Sequence, residues 1–398
     1  MLDAILALNA GSSSIKFGLF EVRDGSSLGV MSKGEIEGVG GDPHFTATDA
    51  AGSTLADEHW RGKDAGYDAM LGALLAWAEK HVQPDTLAAV GHRVVHGGRV
   101  FIAPVRLTAE IVQQLDALTP LAPLHQPHSL APIRTLMALR PGMPQVACFD
   151  TAFHRTMPRV ARLLPIPRRY EAEGLQRYGF HGLSYTYLAQ ELARVAGEPA
   201  ARGRVVLAHL GAGASLAALR DGRCVDTTMG FTPNSGVPMG TRSGDLDPGV
   251  ILYLLRAGGL GTDALDDVLS RRSGLLGVSE TSADMRDLLE HRAGDPRAAD
   301  AVALFCHSVR KAIGALTATI GGLQTLVFSG GIGENAAPIR GEIARGLEHL
   351  GIEVDDARNA ADAAVISADA SACTVRVIRT DEESIIARET LATIGGTT

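Results

Sequence analysis

The stretch AILALNAGSSSIKFGLF, Ala4 to Phe20, decides the fold. An apolar strand runs into a turn of small residues, Asn9 to Ser14, and leaves as a second strand with Lys16 near its start. Phosphate oxygens need close approach by backbone N–H groups, which Gly11 permits, and hydroxyl donors, which Ser12, Ser13 and Ser14 supply. The pattern reads as a hairpin whose turn faces phosphate. The stretch RVVLAHLGAGASLAAL, Arg204 to Leu219, repeats the plan around Gly211 and is followed by the turn dipeptide Asp221-Gly222. Gly211 follows Gly11 by about half the chain, so two related halves facing one cleft are expected.

At 398 residues the chain is long enough for two domains, since single cores stop growing near roughly 250 to 300 residues. Its 46 glycines, 45% hydrophobic and 21% charged residues describe a folded protein with many tight turns and exclude a disordered or fibrous one. With 5% aromatic residues and a net charge of −8, neither basic surfaces nor stacking platforms for nucleic acid are expected. A negative protein that binds anions must concentrate positive charge locally, so individual arginines matter more than the total. Cys148, Cys224, Cys306 and Cys373 are dispersed, with no CxxC pair and no histidine at metal-ligand spacing, which fits a reducing cytoplasm. The most membrane-like run, Val205 to Leu219, is interrupted by His209 and falls short of the ~18 apolar residues a spanning helix needs. The N-terminus carries Asp3 and no basic residue, unlike a signal peptide. A cytoplasmic protein without membrane or nucleic-acid partners is expected.

Continuous apolar runs at Ala4–Leu8, Ile15–Val22, Ala88–Val95, Gln145–Phe149, Val205–Leu210, Thr325–Ser329 and Val375–Ile378 read as strands covered on both faces. Helical patterns fall at Tyr67–His81, Thr108–Leu118, Ser129–Leu139, Ser184–Val195 and Pro338–Leu350. The clearest apolar face comprises Val302, Phe305, Val309, Ile313 and Leu316. This alternation predicts an α/β protein. The domain boundary is placed after Asp150, giving 1–150, completed by 383–398, and 151–382. Pro158, Pro165 and Pro167 predict an irregular connection.

Several further stretches carry chemistry. GHRVVHGG, Gly91 to Gly98, puts Arg93 in a strand that ends at a glycine pair, a setting for either an anion clamp or a surface ion pair. Asp150 ends the strand QVACF, where α/β sheets present ligand-facing residues. RYGFHG places His181 between aromatic and glycine residues. GFTPNSGVPMGTRSGDLDPG, Gly230 to Gly249, is a loop by composition yet carries Arg242, Asp245 and Asp247. TLVFSGGIGENAAPIRGEI joins a buried strand to a helix through glycines, a seat for nucleotide phosphates at a helix N-terminus. No GxxxxGK[ST] sequence occurs, so a Walker loop is excluded.

Taken together with LAPLH, FDTAFH, SGLLGVS, DMRDL and RTDEE, these motifs resemble the acetate and butyrate kinase family, in one consistent order from Ala4 to about Thr390. The resemblance implies two duplicated actin-like, ribonuclease H-like domains around a central cleft, usually in a homodimer. It further implies Mg²⁺-dependent (or Mn²⁺-dependent), reversible, direct in-line phosphoryl transfer between ATP and acetate, giving ADP and acetyl phosphate. By that resemblance Asp150, His181, Arg93 and Arg242 are catalytic. Arg93, Val95, Leu124, Phe180 and Pro233 hold the carboxylate substrate, and a valine at position 95 goes with acetate. Lys16, Ser12, Ser14, His209, Leu210, Gly211, Ala212 and Gly213 adjoin the phosphates. Asp284, Met285, Arg286, Gly331, Ile332, Gly333, Asn335 and Ile339 match the nucleotide-binding region. Asn9 and Glu382, with Asp150 through water, organise the metal.

The chemistry accounts for that distribution. Phosphoryl transfer spreads charge over peripheral oxygens and needs fixed cations rather than a protein nucleophile, and a carboxylate acceptor needs no general base, so His181 is an electrostatic donor. The chain departs from the family at Ala212, where HLGNGAS is usual, at Gln126-Pro127-His128, where an Asn-Pro run is usual, and at Tyr185, where histidine is usual. Two other readings are a kinase for propionate or another short acid, and an actin-like ATP-dependent scaffold. The scaffold reading lacks any appended binding domain here.

Overall fold

The computed structural model describes residues 4–11, 13–24, 27–61, 66–83 and 86–395. Two compact units divide the chain: Met1–Phe153 with Asp381–Thr398, and His154–Thr380.

In the first unit the strands are β1 (Ala4–Ala10), β2 (Ser14–Arg23), β3 (Ser27–Glu37), β4 (His44–Asp49), β5 (Thr54–His59), β6 (Leu87–Val94), β7 (Val105–Arg106) and β8 (Gln145–Phe149). They form one sheet in the order β5-β4-β3-β2-β1-β6-β8-β7. In the second unit β9 (Val205–Leu210), β10 (Ala214–Arg220), β11 (Arg223–Thr227), β12 (Thr325–Ser329) and β13 (Thr374–Val377) form a sheet ordered β11-β10-β9-β12-β13. The two orders superpose, because β3-β2-β1-β6-β8 and β11-β10-β9-β12-β13 each carry two antiparallel pairings followed by two parallel ones. One topology is therefore used twice, as the paired hairpins predict.

The central strands are apolar throughout because helices cover the sheets. Helix Pro296–Ile320 buries Val302, Phe305, Val309 and Ile313 and packs on β9, β10 and β11. Its start is capped by the Asp295 side chain and its end by left-handed Gly321. Helix Glu382–Gly395 buries Ile385, Ile386 and Ala387 and packs on β1, β6 and β8. Gly91 in β6 permits that approach, since a Cβ there would lie 2.1 Å from Thr390 Oγ1 and 2.7 Å from Ile386 Cγ2.

Several expectations change in the structure. The first turn is shorter than Asn9 to Ser14, because the ladder continues through Asn9↔Lys16 and Ala10↔Ile15. Strands β3, β4, β5 and β11 are additional to those read from apolar runs, being rich in serine, glycine, threonine and charge. Pro158 and Pro167 are N-caps of two short helices, Arg159–Arg162 and Arg168–Ala172, where a missing N–H costs nothing. The glycines of SGGIGEN form a helix themselves, Gly330–Asn335, and the next helix, Ala337–Ala344, stops where Arg345 turns extended and Gly346 takes φ +92°. The unit boundary lies after Phe153 because Asp150 N bonds Val94 O and Thr151 Oγ1 accepts from Gly97 N. The chain re-enters the first unit at Asp381, which pairs with Lys33 at 2.5 Å, so Glu382 belongs there and not with 151–382.

Candidate active site

The first unit gathers Asn9 of β1, Arg93 of β6, Asp150 just past β8, and Glu382 at the start of its helix. The Arg93 Nε donates to Asp150 Oδ1 and Oδ2 at 3.2 and 3.1 Å, and Nη2 donates to Oδ2 at 2.6 Å. Nη1 donates to Asn9 Oδ1 at 3.1 Å, while Asn9 Nδ2 donates to Glu382 Oε2 at 2.8 Å and Glu383 Oε1 at 3.3 Å. The Asp150 side chain is 1% exposed and that of Arg93 20%, so part of the arginine side chain reaches solvent. Burial works against the Arg93 charge, but Asp150 and Glu382 more than offset it and raise its pKa. Burial pushes the Glu382 carboxyl up, with Arg93 opposing and Asp150 adding to the shift. Burial and then Glu382 raise Glu383.

Asp150, Glu382 and Glu383 thus carry more carboxylate than Arg93 cancels, and every donor is a hard oxygen. Oxygen donors of this kind are those Mg²⁺ takes, one or two carboxylates with water and phosphate oxygens completing the shell. Among the described residues no group of three or more His, Cys, Asp or Glu is arranged to hold a metal ion. Lys16 lies exposed on β2 opposite Asn9, Ser14 opens the same strand, and Ser12 lies outside the described residues. Val95 is buried after β6, its N–H bonded to Ser129 Oγ at 3.3 Å, and Leu124 is half-buried.

The second unit brings His181, Arg242 and Pro233 to the β9–β10 turn. A Cβ at Gly213 would lie 2.6 Å from Arg242 Nη2 and 3.2 Å from His181 Nε2, so only glycine lets both side chains reach that point. Arg242 Nη1 donates to Pro233 O at 2.7 Å. The His181 ring stacks on His209 with centroids 4.4 Å apart. Their Nδ1 atoms lie 2.8 Å from Ser215 Oγ and 2.8 Å from Ser184 Oγ respectively. Phe180 is buried, and its carbonyl accepts from His154 Nε2 at 2.8 Å. Two nitrogen-bearing side chains converging beside small-residue backbone form a receptor for oxyanions.

Beside that turn lies a cavity of about 550 Å³ lined by Gly211, Ala212, Asp284, Met285, Arg286, Gly331, Ile332 and Asn335, among others. Its size and mostly apolar walls suit a small organic ligand. Asp284 caps helix Met285–His291 and pairs with Arg286 at 2.6 Å. Leu210, Gly333 and Ile339 are buried and absent from the lining, Gly333 lying against Phe328 and Ala208.

Three supports escape a reading by motif. Arg340 is 0% exposed and ties the carbonyls of Gly333 and Glu334 to Asn359 and Asp362. Glu334 Oε1 accepts from Gly330 N at 2.8 Å, Ser329 Oγ at 3.2 Å and Thr380 N at 3.0 Å, fixing the start of the glycine helix. Ser215 supports His181. For two of them the sequence carries a signal, a polar residue beside apolar ones: Ser215 in ASLAAL and Arg340 in PIRGEI.

A repeated β-β-β-α-β-α-β plan, with an oxyanion receptor and an apolar cavity at one sheet's turn, defines an α/β protein of the actin-like class. The chain belongs to the acetokinase family, whose model matches residues 4–388. It is 46% identical over 391 residues to the acetate kinase of Rhodopseudomonas palustris, covering 98% of both chains. Among solved structures it is similar to Porphyromonas gingivalis acetate kinase, at 35% identity and TM-score 0.87, covering 98% of this chain and 100% of that one. A Francisella tularensis propionate kinase gives 34% identity and TM-score 0.89, covering 97% and 98%.

Proposed function

We infer that this protein is an acetate kinase, an enzyme that transfers the γ-phosphoryl group of ATP to acetate, reversibly, giving ADP and acetyl phosphate. The observation that carries the reading is the approach of Arg242 Nη2 and His181 Nε2 to Gly213 beside the cavity, taken with membership of the acetokinase family. Adenosine occupies the cavity over Gly331 and Ile332, with its phosphates toward the Gly211–Gly213 turn. Backbone N–H groups of that turn, Arg242 and His181 stabilise the γ-phosphoryl oxygens as charge spreads over them.

Arg93 orients the acetate carboxylate, and Val95 bears on its methyl group. A carboxylate oxygen attacks phosphorus while the bond to the β-phosphate oxygen breaks, so no proton is moved and no enzyme nucleophile is needed. Glu382, with Asn9 and with Asp150 through water, would hold Mg²⁺. When bound, Mg²⁺ neutralises the β- and γ-phosphate oxygens.

A propionate kinase is the second reading, favoured by the likeness to the Francisella enzyme. Val95 supports acetate, because a full apolar pocket discriminates one methylene by about 1 to 3 kcal/mol. The test is a kinase assay across phosphoryl donors and short acids, with and without Mg²⁺. Acetyl phosphate formation from ATP and acetate, with acetate giving the highest kcat/KM, is expected; a higher value for propionate overturns the acetate assignment. In the same assay Arg242→Ala should lose at least ~3 kcal/mol of barrier lowering, more than a hundredfold in kcat. Wild-type activity in that variant refutes the role of Arg242.

A homodimer is supported by helix Pro248–Arg256, which carries Val250, Leu252 and Tyr253 exposed and buries no residue in the single chain. Among the described residues no helix is long and apolar enough to cross a membrane. Four free, buried cysteines support a reducing cytoplasm as the setting.

A further inference from the structure

We propose that Tyr185, acting through the Ser215 hydroxyl, holds His181 in the orientation and tautomer that present Nε2–H to the transferring phosphoryl group. The proposal rests on the reading of His181 given above and adds to it two positioning residues. His181 is the N-cap of helix Gly182–Ala196 and takes the left-handed conformation, φ 57° and ψ 26°. Tyr185 lies one helical turn further on, so its side chain stands over the same face. Ser215 comes from β10, paired in the ladder with His209.

Ser215 Oγ lies 2.5 Å from Tyr185 Oη and 2.8 Å from His181 Nδ1. Tyr185 and Ser215 are each 0% exposed, so water does not compete for these bonds. A serine hydroxyl has one hydrogen to give and lone pairs to accept. Burial pushes the Tyr185 phenol far above its ordinary value, so it keeps its proton at every working pH. With the phenolic hydrogen directed to Oγ, the Ser215 hydrogen turns to Nδ1, and the imidazole proton resides on Nε2. That is the ring atom nearest Gly213, beside Arg242 Nη2. The ring face is restrained as well, by His209, which Ser184 holds in turn. The buried Tyr185 hydroxyl serves this purpose without a titrating group.

The test combines Tyr185→Phe, Ser215→Ala and the double variant with His181→Ala. Tyr185→Phe should lower kcat about tenfold or more while KM for ATP and acetate stays within about twofold. In the Ser215→Ala background the same change should add less than about twofold, because the link is already cut. Long-range ¹H–¹⁵N spectra of histidine-labelled protein should show His181 protonated on Nε2 in the wild type and a mixture of tautomers in Ser215→Ala. An unchanged kcat in Tyr185→Phe, equal effects in both backgrounds, or an Nδ1–H wild type overturns the proposal. If His181→Ala abolishes activity while Tyr185→Phe does not, only the link to Tyr185 falls; if His181→Ala is fully active, the reading of His181 falls with it.

Discussion

Arg340→Lys tests how the glycine helix beside the cavity is held. The Arg340 guanidinium makes five hydrogen bonds: to Asn359 Oδ1 at 2.8 Å, Asn359 O at 2.8 Å, Gly333 O at 3.0 Å, Glu334 O at 3.0 Å and Asp362 Oδ1 at 2.5 Å. Lysine keeps the charge but offers three donors from one compact ammonium, and loses the planar fork that reaches acceptors on two sides. At least two acceptors are then left without a donor. Each buried one costs ~1–3 kcal/mol. Asp362, with its side chain 46% exposed, regains water, so the penalty falls on Asn359 and the two helix carbonyls. The net loss is about 3 kcal/mol, or roughly a hundredfold in the opening equilibrium. Amide hydrogen exchange over 330–362 should speed up by that factor, and KM for ATP should rise several-fold with KM for acetate unchanged. Exchange within about threefold of the wild type would refute the assignment of Arg340 as the tie beneath the cavity.

The remaining predictions concern pH and selectivity. Burial raises the Glu389 carboxyl from 4.5 to about 7, with Cys148 opposing. The native state thus keeps a proton that the unfolded chain has lost, and stability falls as pH rises from about 4.5 to about 7. Glu389→Gln should flatten that slope by on the order of 2 kcal/mol after allowance for partial exposure, read from urea midpoints at pH 5 and pH 8; an unchanged slope contradicts it. Val95→Ala should shift the acetate-to-propionate ratio of kcat/KM toward propionate by about tenfold, and an unmoved ratio removes Val95 from the pocket.

The sequence by itself determined the duplicated α/β plan, because continuous apolar strands and small-residue turns are local properties that recur at Gly11 and Gly211. It also singled out Arg93, Asp150, His181 and Arg242 by their neighbours. Strands β3 to β5 escaped it, since alternating serine, threonine, glycine and charge acquires a strand's meaning only from the partner it pairs with. Only the tertiary structure decided what supports the site. Arg340 and Ser215 resemble ordinary helix and strand residues until carbonyls more than a turn away, or a ring from another element, are brought against them. The family resemblance already groups Asn9 with Glu382, 373 positions away, but only the structure shows the hydrogen bond between them. Local pattern marks the apolar strands and amphipathic helices; which polar atoms meet depends on burial, where an unpaired group is too costly to leave.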